Sequence, residues 1–427
     1  MTNQAANHRV DATALHYPNF RLFMAARFLM TAGLEMQSVA VGWQIYAITR
    51  RPLDLGLVGL VQFLPGLLLF LVGGHVADRF NRRYVLMSCY AGFAMCSLAL
   101  LSITLHGSHG VGPMYVVLVG VGLVRVFNGP ATQAFPPLLV PPAVFPHAAA
   151  WISSVSSAAT ILGPVTGGVL YALRGSAVSV YITAAMSMTI SFLLVMAIRI
   201  QGVQQMSRGR DWKTVTAGFR YVWRNKLILG TTSLDLFAVL LGGAVALLPV
   251  FAREILNAGP RGLGLLRASP AIGTGLMALV LANVPLGRRA GAKMLGCVAI
   301  FGTATVLFGL SRNLYLSMFA LAVAGAADMV SMVVRSTLVQ LATPDEMRGR
   351  VSAINVLFIG ASNEFGQFES GVTAQWMGAV PAVIFGGVGT LLVVALWSVF
   401  FPALRQVDRL TQESLAIADE QELRELL

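Results

Sequence analysis

Long uncharged stretches alternate with short basic connections along this chain. Residues 55–76, 84–124, 126–173, 176–198 and 370–404 contain no Asp, Glu, Lys or Arg. A hydrocarbon layer of about 30 Å is crossed by about 20 apolar residues in helical form. In lipid the backbone must pair within a helix or a closed barrel, and runs this long without strict alternation select the helix. Twelve spans are predicted, at 20–48, 55–77, 84–106, 113–135, 147–173, 177–199, 227–252, 262–283, 290–310, 314–341, 350–378 and 380–402.

A polar interval divides these spans six and six. The predicted organisation is an N-terminal half (1–199), a linker (200–226), a C-terminal half (227–402) and an acidic tail (403–427). In the linker, Trp212, Val215, Phe219 and Val222 share one helical face, while Lys213, Arg220 and Arg224 lie on another. That pattern predicts an amphipathic helix on the membrane surface, its basic face toward anionic headgroups. The tail, with Asp408, Glu413, Asp419, Glu420, Glu422 and Glu425, reads as a solvated helix. With the N-terminus inside, nineteen of the thirty Lys and Arg residues fall on the inner side and six on the outer. The positive-inside rule then places both termini in the cytoplasm. Residues 1–18 are polar, so no cleavable signal peptide is expected.

Composition narrows the class further. The 427 residues are 56% hydrophobic and only 11% charged, against about 25% charged in soluble domains. Soluble globular folds are excluded. A net charge of +12 invites a nucleic-acid partner. However, the bases lie in short connections and only Lys213, Lys226 and Lys293 are lysines, so the charge reports membrane topology. Cys89, Cys96 and Cys297 sit in apolar segments without CxxC spacing, and the histidines show no metal-ligand spacing. There is no phosphate loop or nucleophile elbow. No cofactor, metal or enzymatic activity is expected.

The connection around 74–83 is singular. Gly74, Asp78, Arg79, Arg82 and Arg83 stand between two uncharged runs. Asp78 can face the positive N-terminus of a span from the other half, such as span eleven starting near Gly349, a contact worth about 0.3–2 kcal/mol. The arginines can grip carboxylates or lipid phosphates. Topology alone needs no acid, so Asp78 points to a gate rather than an anchor. A weak repeat supports duplication. Gly163-Pro-Val-Thr-Gly-Gly168 precedes Gly366-Gln-Phe-Glu-Ser-Gly371 by 203 residues, and Gly287-Arg288-Arg289 echoes Asn81-Arg82-Arg83 without the acid.

Ionisable residues within spans mark function, because each costs at least about 2.5 kcal/mol at the bilayer centre. The candidates are Arg27, Glu35, Arg125, Asp235, Asp328, Arg335, Glu364 and Glu369. Arg125 lies about 16 Å and Glu35 about 22 Å into its span. Asp328 and Arg335 share a helix face about 10 Å apart, which suits separate partners.

Over nearly its whole length the chain resembles the major facilitator superfamily. The carrier of the resemblance is G-x-x-x-D-R-x-G-R-R between spans two and three, here Gly74, Asp78, Arg79, Arg82 and Arg83. Asn81 replaces the usual glycine, a mild change because Asn tolerates positive φ. Arg125 and Gly129 resemble the family element linked to proton coupling. Gly163, Pro164, Gly167 and Gly168 are similar to the motif associated with exporters. Asn19-Phe20-Arg21, Gly218-Phe219-Arg220-Tyr221 and the stretch from Thr343 to Arg350 are similar to the branch of enterobactin exporters and macrolide-efflux proteins.

The resemblance implies an all-α membrane protein of twelve transmembrane helices in two pseudo-symmetric six-helix halves. It also implies a monomer in the bacterial inner membrane that exports an amphipathic small molecule, a siderophore or a drug, against protons. Spans one and four line the cavity in this family. Glu35 and Arg125 are therefore expected either to bind a proton alternately or to form a permanent ion pair, with Asp235 and Asp328 as second-half counterparts. A lipid or lysophospholipid transporter and a non-transporting sensor or scaffold are the alternatives.

Overall fold

A computed structural model describes residues 13–107, 110–199, 212–284 and 288–408. Within these, the side chains of Phe70, Leu71, 73–75, Ala77, Asp78, 212–217, Asp345, Glu346, Ala353 and Ala403 are not described. Arg9, Arg208, Arg210, Gly287 and the tail from residue 409 lie outside the described residues. The described chain is helical, with α1 (Pro18–Thr49), α2 (Pro52–Arg79), α3 (Arg82–Leu105), α4 (Gly112–Ala134), α5 (Phe145–Arg174) and α6 (Val178–Ala197) in the first half. The linker helix is α7 (Trp212–Arg224). The second half comprises α8 (Lys226–Gly242), α9 (Leu248–Val250), α10 (Gly259–Asn283), α11 (Ala290–Leu310), α12 (Leu314–Leu341), α13 (Asp345–Met377), α14 (Ala379–Phe400) and α15 (Pro402–Gln406).

Among the described residues, ten segments are long and apolar enough to cross a membrane. The other two predicted spans are α1 and α13. At 32 and 33 residues they are about 48 and 50 Å long, but their internal charges lower their hydropathy. Asn19 at the start of α1 donates to the Arg199 carbonyl just beyond α6 (2.8 Å), so an even number of passes returns the chain to its starting side. We call that face the terminal side and the opposite face the far side.

Three local expectations are corrected. First, α2 runs on to Arg79, so Asp78 belongs to its last turn rather than to a loop. Second, Asn81 has φ −61° and its side chain accepts from the Arg83 N–H (3.0 Å). It is an N-cap for α3, and capping rather than left-handed geometry explains its presence. Third, the seventh predicted span is broken. After the glycines 242 and 243 it continues as 3-10 turns (Ala244–Leu247), α9 and a π-helical turn (Phe251–Ile255). Two adjacent glycines weaken the helix. The Ser370 hydroxyl donates to the Gly243 carbonyl (2.9 Å), pairing a group the break would strand.

Helices α1–α6 pack on one another, as do α8, α10, α11, α12 and α14, and the halves join mainly along α5 with α10 and α2 with α13. The repeated glycine motif shows why. In α5, a Cβ on Gly163 would lie 2.9 Å from the Ala32 carbonyl oxygen of α1, and one on Gly168 would lie 2.5 Å from the Pro260 oxygen of α10. In α13, a Cβ on Gly366 would lie 2.9 Å from the Val239 oxygen of α8, and one on Gly371 would lie 3.0 Å from the Pro52 oxygen of α2. The first glycine of each motif therefore packs within its own half and the last against the other half. Small residues at such crossings let backbones approach in lipid. Both inter-half crossings lie about 9 Å from the far ends of α5 and α13.

The linker helix is less free than its amphipathic pattern suggests. A Cβ on Gly218 would lie 3.1 Å from the Arg350 carbonyl, Val222 is buried, and the Tyr221 hydroxyl donates to the Ala342 carbonyl (3.1 Å). Part of the apolar face thus docks on protein. Phe219 and Trp223, stacked at 5.9 Å, stay exposed. The segment after α14 also docks. Asp408 Oδ2 lies 3.1 Å from Arg288 Nε, Oδ1 accepts from the Arg289 N–H (3.1 Å), and the Ala290 and Gly291 N–H groups donate to the carbonyls of Asp408 and Val407.

Candidate functional site, a charged cavity between the halves

Opposite charges from both halves meet inside the bundle. Glu35 of α1 is 3.6 Å from Arg267 of α10, each side chain about a quarter exposed. Arg125 of α4 and Glu364 of α13 line a cavity of about 80 Å³ with Arg267, Gln62, Gln367 and Ser38. Glu364 lies in the field of both Arg125 and Arg267. Its Oε2 accepts from the Gln367 amide (3.0 Å), and a Cβ on Gly59 of α2 would lie only 2.7 Å from that oxygen. Each half contributes one carboxylate and one guanidinium, and Glu35 pairs with the guanidinium of the other half.

This corrects the expected partnership. Glu35 pairs with Arg267, not with Arg125, because α1 packs on α5 and α6 and touches α10, whereas α4 packs on α2 and α3. Arg125 is exposed into the cavity and faces Glu364. Arg267 was missed by sequence reasoning although it carried the same signal as the others, a charge inside an apolar span. Proximity to the basic connection at Arg261 hid it.

Asp235 and Arg335 form a second cluster, in the core of the second half. Their side chains are paired directly and are 9% and 5% exposed. Half-buried Asp328 lies within electrostatic reach of both. Arg335 therefore takes Asp235 rather than Asp328 as its partner, and neither Asp235 nor Asp328 lines the cavity. Arg27 donates to the Ser156 hydroxyl of α5 (2.9 Å), and Glu369 accepts from Thr373 (2.7 Å).

The far side is latched across the halves. The Tyr46 hydroxyl donates to Glu254 Oε1 (2.6 Å), Arg50 Nη1 lies 3.5 Å from the same oxygen, and Arg253 stacks over Trp43 at 5.4 Å. The π-helical turn aims both Arg253 and Glu254 at α1. Every cross-half contact named here, from Glu35–Arg267 outward, lies between mid-bundle and the far face.

Arg82 and Arg83 of the 74–83 cluster reach backbone carbonyls of their own half. Arg82 donates to the Ala134 carbonyl at the end of α4 (3.0 Å), and Arg83 donates to the Val195 and Met196 carbonyls at the end of α6. Cations at helix C-termini satisfy stranded carbonyls and complement the macrodipole. Backbone carbonyls are thus among the partners of these arginines. Arg79 is exposed. The Asp78 side chain lies outside the described residues. Of the exporter-type motif, Gly163 and Gly167 pack on α1 and Gly168 on α10, while Pro164 sits inside α5 with its carbonyl 2.5 Å from where a Cβ on Gly264 would lie.

The sequence matches the family described as transmembrane secretion effector over residues 12–427. It is similar to the enterobactin exporter EntS of Shigella boydii serotype 4, 27% identical over 398 residues covering 91% of this chain and 93% of that protein. EntS of Escherichia coli O81 is 26% identical over the same span. Among solved structures, a bacterial homolog of the human lysosomal transporter Spinster, inward-facing and unoccupied, superposes with a TM-score of 0.72 at 14% identity, covering 91% of this chain and 98% of its own. The nucleoside transporter NupG gives 0.70 at 14%, covering 90% and 99%. These two likenesses speak for the fold. The chain belongs to the transmembrane secretion effector family of the major facilitator superfamily, and is a multi-pass secondary transporter of the bacterial inner membrane that carries a small molecule rather than transforming it.

Proposed function

We propose that this transporter exports an amphipathic organic compound, a siderophore such as enterobactin or a drug such as a macrolide, in exchange for protons. The observation that carries the proposal is a cavity between the halves lined by Arg125, Arg267 and Glu364, with Glu35 paired to Arg267 across the halves. A passive scaffold gains little from such charges, which are expensive in lipid. In an alternating-access cycle the halves (1–199 and 227–402) rock about this cavity. The terminal side is cytoplasmic by charge bias, so the conformation described here is open inward and latched outward. Parting the far side requires the Glu35–Arg267 pair to separate, and a proton or the substrate then compensates the freed charges. Asp235, Asp328 and Arg335 form a rigid polar core in the second half, and Asp78 biases the inner gate. The protein acts as a monomer, with α7 held partly on protein and partly against lipid through Phe219 and Trp223.

The test is uptake into everted membrane vesicles with an imposed proton gradient, using enterobactin and erythromycin as probes. Gradient-dependent accumulation of one probe is expected, and Glu35→Gln and Arg125→Ala should abolish it with the protein still folded. If neither probe accumulates while labelled phospholipid or lysophospholipid is moved, the exporter proposal falls and a lipid transporter takes its place.

A further inference from the structure

We infer that Arg125 anchors an acidic oxygen of the transported compound, so that the cavity selects organic anions, carboxylates or acidic phenols, over neutral and cationic molecules of similar shape. This rests on the export reading proposed above and names the chemical class that the same cavity takes.

Three charged groups line the cavity, and two of them are already met by protein. Arg267 has Glu35 at 3.6 Å. Glu364 accepts from the Gln367 amide (3.0 Å) on its own helix. Arg125 differs. Among the described residues no carboxylate stands within ion-pair distance of it and no hydrogen bond reaches it, and Glu364 acts on it only at longer range. Its guanidinium is exposed, carries five N–H donors and stays charged at any working pH. It stands about 20 Å from the far end of α4, at a depth where an unmet charge is costly. An anionic oxygen pair meets that charge with two parallel N–H bonds.

Local packing holds the group in place without engaging it. A Cβ on Gly122, three residues before Arg125, would run into the Gln62 carbonyl, so α4 lies against α2 at the cavity wall. Gln62 also lines the cavity, but it turns its amide to the Val58 carbonyl of its own helix (3.2 Å). One turn toward the terminal side, a Cβ on Gly129 would meet open space. The face of α4 that carries Arg125 is therefore bare on the side from which a cytoplasmic compound arrives.

At about 80 Å³ the cavity takes a headgroup rather than a whole amphipathic molecule. The acidic group sits at Arg125, and the apolar body extends toward the terminal side past Gly129. Glu364 lies in the field of both Arg125 and Arg267. A bound anion takes over the Arg125 share, while Arg267 continues to balance Glu364. A cation would instead meet two guanidiniums and one carboxylate. Of the two classes named above, an acidic siderophore fits and a basic macrolide does not.

The test uses the full chain in nanodiscs with Ser38→Cys as reporter, because Ser38 lines the same cavity. Its labelling rate by N-ethylmaleimide is read by mass spectrometry of the Ser38→Cys peptide, with and without probe. The probes are naphthoate and naphthamide, which share a ring system and differ in charge. Naphthoate should protect at about tenfold lower concentration than naphthamide. Arg125→Gln should weaken protection by naphthoate about tenfold, as expected for loss of a charged hydrogen bond, and Arg125→Lys should keep most of it. Glu364→Gln should strengthen protection, because the competing carboxylate is gone. Arg27→Gln, outside the cavity lining, should protect like the parent. Equal protection by the two probes in the parent overturns the inference, as does no protection, or naphthoate protection unchanged in Arg125→Gln. A shifted rate without probe in Arg125→Gln would mean a distorted cavity, and the strengthening expected of Glu364→Gln then decides. Gradient-driven uptake of erythromycin without enterobactin would keep the export reading and remove this inference. Uptake of neither would remove the export reading, while the protection would still report whether Arg125 holds an anion.

Discussion

Gly168→Ala separates the two tasks of the glycine motif in α5. A Cβ at 168 would sit 2.5 Å from the Pro260 carbonyl oxygen and 3.1 Å from the Gly264 Cα, both backbone atoms of α10 in the other half. Ordinary carbon–oxygen contacts are about 3.3–3.6 Å, so α5 and α10 must part by about 0.8–1.1 Å. Overpacking of this kind costs about 1–3 kcal/mol. The strain exists only while the far side is closed, and rocking the halves apart removes it. Because a state-specific cost of that size shifts an equilibrium about 5- to 150-fold, the substitution should raise the far-side-open population by that factor. The assay is labelling of Ser38→Cys, a cavity-lining position, by a membrane-impermeant maleimide added from the far side of proteoliposomes. Gly167→Ala is the control. Its Cβ would meet Met36 of α1 at 2.9 Å, inside the first half, so it should lower thermal stability without changing far-side labelling. If Gly168→Ala labels like its parent, or if Gly167→Ala labels as strongly as Gly168→Ala, the assignment of separate tasks is wrong.

Other outcomes follow from the remaining contacts. Removing one partner of the buried Asp235–Arg335 pair, as in Arg335→Met, should cost about 3–5 kcal/mol by leaving a charge unpaired. Thermal unfolding in detergent measures this, and Asp235→Asn combined with Arg335→Met should recover much of the loss. Tyr46→Phe removes a hydrogen bond to a carboxylate, worth about 1.5–3 kcal/mol when buried and less here because Glu254 is half exposed. Far-side labelling should therefore rise, with no change in insertion, and a lack of change would show that Tyr46 does not hold the latch. Asp78→Asn should insert normally and transport poorly if Asp78 gates the terminal side, whereas full transport would reduce the cluster to an anchor.

The spans were legible because charge is expensive in lipid, and that rule needs only the order of residues. For the same reason Arg125, Glu35 and Glu364 could be singled out as interior groups. Their partners were not legible. Glu35 and Arg267 are 232 residues apart, and they meet only because α1 and α10 approach each other across the halves. The glycine repeat was visible as spacing, but which glycine faces its own half depends on the rotation of α5, and that is fixed by contacts. The break after Gly242 shows the opposite weakness. Two glycines and Pro249 were in plain sight, and high hydropathy overrode them. The contacts of Arg82 and Arg83 with Ala134, Val195 and Met196 were missed because they are made to main-chain carbonyls, which carry no sequence signal.

The docking of Asp408 at the start of α11 has a consequence for the timing of synthesis. The loop residue it joins, Arg288, is made 120 residues earlier, which at about 5–20 residues per second is a delay of roughly 6–24 s. The first half can complete its packing while the ribosome is still working. The first turn of α11 cannot, because its N–H groups await carbonyls that have yet to be made. Until then those groups depend on water or headgroups at the membrane surface, and the second half stays open to mispairing. A chain stalled or cut just before residue 408 would keep its spans yet lack the closure of this half, so fusions at that point should be spaced beyond Asp408.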